Sequence, residues 1–177
     1  MKKINILIAL LLSLLLGACG SEESTKEEVP GYSIVQEDEY NNGTFEYWVI
    51  PDGIFTIDES GIELISEELI DKENKTEKNV VIFFIDDERQ IGNGYNMSRL
   101  NYIDKNYEYT HKSPVAMSEE DYPTAEQLDI YFRWIEIFYD VEPGELKEED
   151  DVTQEVADEF GISFEESNEV YLKGSRR

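Results

Sequence analysis

Acid–base or metal chemistry in this chain has to be built from carboxylates and one histidine. His111, flanked by Thr110 and Lys112, is the single imidazole in 177 residues, and Cys19 is the single thiol. One histidine excludes paired-His and three-His metal sites within the chain. One cysteine excludes an internal disulfide and a Cys-based zinc site. The acids run in clusters, Asp86-Asp87-Glu88, Glu119-Glu120-Asp121 and Glu148-Glu149-Asp150-Asp151. The first stands at the end of an apolar run, and Asp86, Asp87 and Glu88 are the candidate metal ligands. The other two precede helical patterns, where carboxylates favour the macrodipole. Read as a calcium loop from Asp87, Gly92 falls at the sixth position, but Ser98 stands at the twelfth, where a bidentate Glu is required. A carboxylate pair for glycoside hydrolysis depends on a separation in space that linear spacing does not fix. Gly92-Asn93-Gly94 lacks a third glycine and a following apolar helix, so it reads as a turn. Serine-elbow and phosphate-loop patterns do not occur. His111 reads as an exposed loop residue, with a general base as the sharper alternative. No catalytic residue and no cofactor is assigned.

Charge narrows the partners. With 15 Lys+Arg against 41 Asp+Glu, the net charge is −26. Nucleic acid and anionic lipid heads are repelled, while weak, non-specific condensation of divalent cations is expected. The 40% hydrophobic and 12% aromatic content is too high for a disordered acidic chain, so a core is expected.

The elements that position these groups follow from the pattern. Tyr32–Tyr40 and Thr44–Ile50 flank Asn41-Asn42-Gly43 and read as a hairpin, with Phe45, Tyr47 and Val49 on one face. Ser60-Gly61-Ile62-Glu63 has the form of a capping box, opening a helix that runs to about Asn74. Asn79–Ile85, with six consecutive apolar residues, predicts the central strand, covered on both faces. A weaker strand follows over Tyr95–Ile103, and residues 104–122 read as irregular. Thr124–Asp140 is a helix with two apolar stripes. Leu128, Tyr131, Phe132, Ile135, Phe138 and Tyr139 form one, and Ile130, Trp134, Ile137 and Val141 the other. One stripe is expected against the sheet and one against a C-terminal helical hairpin. If a stripe is exposed, Trp134 becomes the candidate binding residue. Val152, Val156 and Phe160 share a face of the next helix, Gly161 ends it, and Ser163 caps the last, which runs to Leu172. The fold class expected is α+β: a small antiparallel or mixed sheet in the order β-β-α-β-β, a long helix and a helical hairpin. The divisions are 1–18, 19–30, 31–122 and 123–177.

The first division is an address. Lys2 and Lys3 precede the apolar run Ile4–Leu16, which is short for a bilayer span, and Leu16-Gly17-Ala18-Cys19 follows. This segment resembles the signal peptide and lipobox of a bacterial lipoprotein precursor. The resemblance implies cleavage between Ala18 and Cys19, a diacylglyceryl group on the Cys19 thiol, and anchoring at the extracytoplasmic face of the cell membrane. Cleavage leaves 13 bases against 41 acids. Gly20–Val29 holds one apolar residue and reads as a disordered acidic tether with a reach of at most about 40 Å.

Val156–Ser163 resembles the turn of DNA-binding helix-turn-helix proteins, but the following Phe164-Glu165-Glu166-Ser167-Asn168-Glu169 carries no base to meet a phosphate. A compact helical hairpin is expected there. The layout as a whole, with the phrases Ser33–Tyr40, Val80–Glu88 and Val156–Ser163, is similar to the small lipoproteins of Gram-positive bacteria, their phages and mobile elements. That resemblance implies a location more than an activity. The expected function is a non-enzymatic binding or accessory protein with an unknown protein or envelope partner. An extracytoplasmic, carboxylate-dependent hydrolase or cell-wall enzyme is the alternative.

Overall fold

A computed structural model describes residues 28–73, 75–112, 115–140 and 147–177. The signal-peptide, cleavage and lipidation assignments at Ala18 and Cys19, most of the tether, Asn74 and Val141 lie outside the described residues. The fold is α+β, with a five-stranded mixed sheet and helices placed chiefly at the C-terminal end.

Strands β1 (Tyr32–Glu39) and β2 (Phe45–Pro51) pair antiparallel around a turn in which Gly43 sits at φ +77°, a conformation that costs glycine nothing. Helix α1 (Glu59–Lys72) starts two residues earlier than the Ser60 pattern indicates. Its N-cap is Asp58, whose carboxylate accepts from the Gly61 amide at 2.9 Å, and the Ser60 hydroxyl donates to that same carboxylate. An anionic cap meets both the free amides and the macrodipole, which a serine hydroxyl does not. From α1 the chain enters β3 (Val80–Phe84), parallel to β2 and central in the order β1-β2-β3-β4-β5. The cover over β3 is one-sided. Val80, Ile82 and Phe84 are buried in a cluster with Ile62, Ile65 and Leu69 of α1, whereas Val81 and Phe83 are half-buried and stand outside that cluster. Phe83 instead stacks on Trp48 at 4.4 Å.

The expectation of an irregular stretch after Ile103 fails. Strands β4 (Ser98–Ile103) and β5 (Asn106–His111) form a second hairpin, turned at Asp104 and Lys105 with φ of 51° and 65°. A two-residue turn with both central residues at positive φ fits the strand twist. Here it is made without glycine, which hid it. Tyr107, Tyr109 and His111 alternate along β5 and stack in sequence.

The helical layer holds α2 (Ala125–Tyr139), α3 (Glu149–Phe160) and α4 (Phe164–Gly174). Thr124 and Gln127 close a reciprocal capping box at the start of α2. Glu149, Asp150 and Asp151 fill the first turn of α3, so this acidic cluster serves the helix dipole. Gly161 ends α3 at φ +68°, and Ser163 caps α4 through the Glu166 amide. One stripe of α2, Ile130, Trp134 and Ile137, is buried with Val152, Val156 and Val170. The other is only partly covered: Leu128 and Tyr131 are buried, Phe132, Ile135 and Phe138 are half-buried, and Tyr139 is 68% exposed. The helix is therefore not wedged flat against the sheet. Each layer has its own hydrophobic cluster, and the two clusters share no residue. Phe160, expected on the buried face of α3, is exposed.

Candidate functional site

Trp134 is a core residue, so the condition under which it would be a binding residue, exposure of its stripe, is not met. It is 2% exposed and stacks on Tyr171 at 3.9 Å and Phe138 at 4.9 Å. Its indole N–H donates to Thr153 Oγ1 at 3.0 Å.

A cleft lies where the two layers meet. Parallel strands β2 and β3, joined through α1, both end at this junction, and crevices beyond the carboxyl ends of parallel strands are where α/β folds tend to hold ligands. Ile54 and Phe55 follow β2, Asp86 follows β3, and Asn96, Met97 and Lys112 flank the β4–β5 hairpin. Across from them stand Gln127 and Ile130 of α2 and Glu169, Leu172 and Lys173 of α4. The space enclosed is about 1310 Å³.

One wall of the cleft is built on Arg177. Its guanidinium pairs with Asp86 at 3.1 Å, donates to Gln90 Oε1 at 3.1 Å and to the Gly174 carbonyl at 3.2 Å, and lies about 5 Å from the Tyr131 and Phe132 rings. Arginine suits such a place because its planar head makes several directed bonds while stacking on aromatic faces. Tyr122 lies beside the pair. Burial, then the nearby Asp86 charge, push its hydroxyl up to about 12, against the pull of Arg177. Burial likewise raises Tyr131. Asn96 accepts the Asp86 amide through Oδ1 at 3.3 Å, and its buried Nδ2 has no partner among the described residues. Asn96 itself is 8% exposed and lines the cleft.

The candidate metal ligands are drawn apart by their partners. Asp86 is committed to Arg177. Asp87 caps a short 3-10 turn, Glu88–Gln90, and pairs with Arg89 at 2.7 Å. Burial works to raise the Asp87 carboxyl, but hydrogen bonds from Arg89 outweigh it and hold the group below the usual range. Glu88 is exposed. Among the described residues no three His, Cys, Asp or Glu side chains converge to hold a metal ion. Asp121 is engaged with Ser118 in the turn that leads to α2.

His111 is not a loop residue. It ends β5, with Nδ1 2.8 Å from Ser98 Oγ across the strand pair and Nε2 3.8 Å from Glu63 of α1. Hydroxyl, imidazole and carboxylate thus stand in the order of a nucleophilic relay. Ser98, however, is wholly buried and lies outside the cleft lining, and 3.8 Å is too long for a hydrogen bond to Glu63. The group fastens β4 to β5. Pairing Ser98 with His111 needs the β4–β5 register, which the missed hairpin concealed.

Among the described residues no helix is long and apolar enough to cross a membrane. The sequence matches no protein-family model, and neither curated proteins nor solved structures gave a significant match.

Proposed function

We propose that this chain is a lipid-anchored binding protein at the outer face of the cytoplasmic membrane, tethered through Cys19 and receiving its ligand in the cleft between sheet and helices. The observation that carries the binding reading is the position of that cleft. It opens at the carboxyl ends of β2 and β3, between two layers with separate cores. The buried carboxylate within it, Asp86, is committed to Arg177, which favours holding a ligand over hydrolysing one. The lipobox and the acidic tether support the location. A tether of at most about 40 Å keeps the folded part close to the bilayer, while its charge holds it off anionic heads.

Two measurements test the reading. Metabolic labelling with a palmitate analogue labels the wild-type chain and not Cys19→Ala, which leaves the membrane fraction. A photo-crosslinking amino acid at Leu172, on the cleft rim, captures a partner in intact cells, whereas one at Glu108, on edge strand β5, does not. Unchanged membrane retention of Cys19→Ala, or equal capture at both positions, defeats it.

A further inference from the structure

The ligand's chemical class follows from the charges around the cleft. Overall the chain holds 41 acids to 15 bases, yet the cleft lining is nearly balanced. Lys112, Lys173 and Arg176 line it, and none of the three forms an ion pair among the described residues. The Lys112 ammonium sits 5.1 Å from the Tyr95 ring, and Lys173 donates to Gln127. The Arg176 residue is exposed. Against them stand Glu126, Glu166 and Glu169, also exposed and in no ion pair among the described residues. Asp121 adds a fourth acid, already bonded to Ser118. Charges of both signs thus face one space without neutralising each other. Apolar side chains lie between them, Phe55, Met97, Val115, Ile130, Ile162 and Leu172, and Leu172 is 42% exposed.

The unpartnered Asn96 Nδ2 adds a directed requirement. A buried amide donor without an acceptor is unfavourable, and a carbonyl oxygen from a ligand meets it. A purely anionic ligand would meet four carboxylates, and a purely cationic one three bases. A sugar would leave the charges unused.

We propose that the cleft binds an extended peptide segment of a partner protein, one that carries both charge signs and an apolar side chain. Its backbone carbonyls answer Asn96, its acids answer Lys112, Lys173 and Arg176, and its bases answer the glutamates of α4. Rim charges of this kind select the partner and speed its arrival more than they add affinity. This inference rests on the cleft being the ligand site.

Equilibrium dialysis of the purified chain against three pools of peptides, about twelve residues long, tests it. All pools carry the same apolar residues; one adds only acids, one only bases, and one both. Retention of the mixed pool about tenfold above the others is expected at ~0.15 M salt. The double variant Lys112→Glu/Arg176→Glu alters exposed side chains, and an unchanged melting temperature certifies its fold. It shifts retention to the basic pool. Equal retention of the three pools, or a preference unmoved by the double variant, overturns the proposal. So does mixed-pool retention that is abolished by self-association of the chain or by vesicles of anionic phospholipid, because either would make that competitor the occupant. If the Leu172 crosslink forms in cells while the pools show no preference, the cleft remains the ligand site and only the peptide class falls. If the crosslink fails, the site itself is wrong.

Discussion

Asp86 and Arg177 lie 91 residues apart and meet at 3.1 Å, with side chains 7% and 1% exposed. One belongs to the end of the central strand, the other to the turn after the last helix. The hydrophobic clusters of the two layers share no residue, and this pair is the buried ion pair that joins them, with the exposed Arg89–Asp129 bridge beside it adding little. Removing one member of a buried pair leaves an unpaired charge and costs about 3–5 kcal/mol, whereas replacing both with apolar side chains is often neutral. Arg177→Met is therefore expected to lower the melting temperature strongly, and Asp86→Leu/Arg177→Met to restore most of the loss. Hydrogen exchange in Arg177→Met should quicken at 86–97 and 125–132 before it does in β2 and β3. Uniform loss of protection would mean that the layers unfold as one unit and that the pair does not act as a junction.

Gly174 supports this pair from behind. A Cβ at this position collides with the Tyr131 ring, which stacks in turn on the Arg177 guanidinium. Alanine favours a helix, so on an open surface the change from glycine stabilises. Here overpacking of about 1–3 kcal/mol opposes that gain. Gly174→Ala should destabilise, and the loss should shrink when Tyr131 is cut back to Ala, which removes the ring atoms the new Cβ meets. A Gly174→Ala variant as stable as wild type would show that the ring moves freely.

Acid should loosen the same end of the sheet. The folded-state Asp87 carboxyl is held low, so its contribution to stability is fully present above the unfolded value of about 3.9 and is lost as pH falls through the folded one. Asp58, the cap of α1, behaves alike through bonds from Gly61 and Ser60. Melting temperatures measured from pH 5 downward should fall less steeply in Asp87→Asn than in wild type. Parallel curves would count against any role for Asp87 in acid unfolding.

The sequence made the local elements readable and left their meeting points hidden. The hairpin around Gly43, the central strand, the Ser163 cap of α4 and the αL stop at Gly161 each depend on residues near in the chain. Their signals survive in a short window. Asp104-Lys105 gave no turn signal because its positive φ values are carried by non-glycine residues, and β5 vanished with it. The stripe of Ile130, Trp134 and Ile137 is covered by the C-terminal hairpin as its spacing indicates, whereas the cover expected over the Leu128–Tyr139 stripe is only partial, because the docking of α2 on the sheet is not written in its periodicity. The cleft was beyond reach for the same reason. Its basic side chains come from Lys112 and from the end of α4, and no periodicity relates them. The position of Asp86 after a strand marks it for chemistry in the sequence. Its actual partner, Arg177, lies 91 residues further along the sequence.

Trp134 tests whether the helical layer has a true core. The ring is sandwiched by Tyr171 and Phe138, and its N–H reaches Thr153, whose own hydroxyl donates to the Glu149 carbonyl. Truncating a buried tryptophan to alanine removes contact on both faces and leaves a cavity, a change of about 3–5 kcal/mol. Trp134→Phe keeps much of the stacking but strands the Thr153 oxygen as an acceptor without its donor, at about 1–3 kcal/mol. Thr153→Val alone orphans the indole N–H, with a loss of similar size. In the double variant Trp134→Phe/Thr153→Val neither polar group remains, so the combined loss should be smaller than the sum of the two. Additive losses in a thermal or urea denaturation cycle would mean that the indole–hydroxyl bond contributes nothing and that stacking alone fixes α2 on α3.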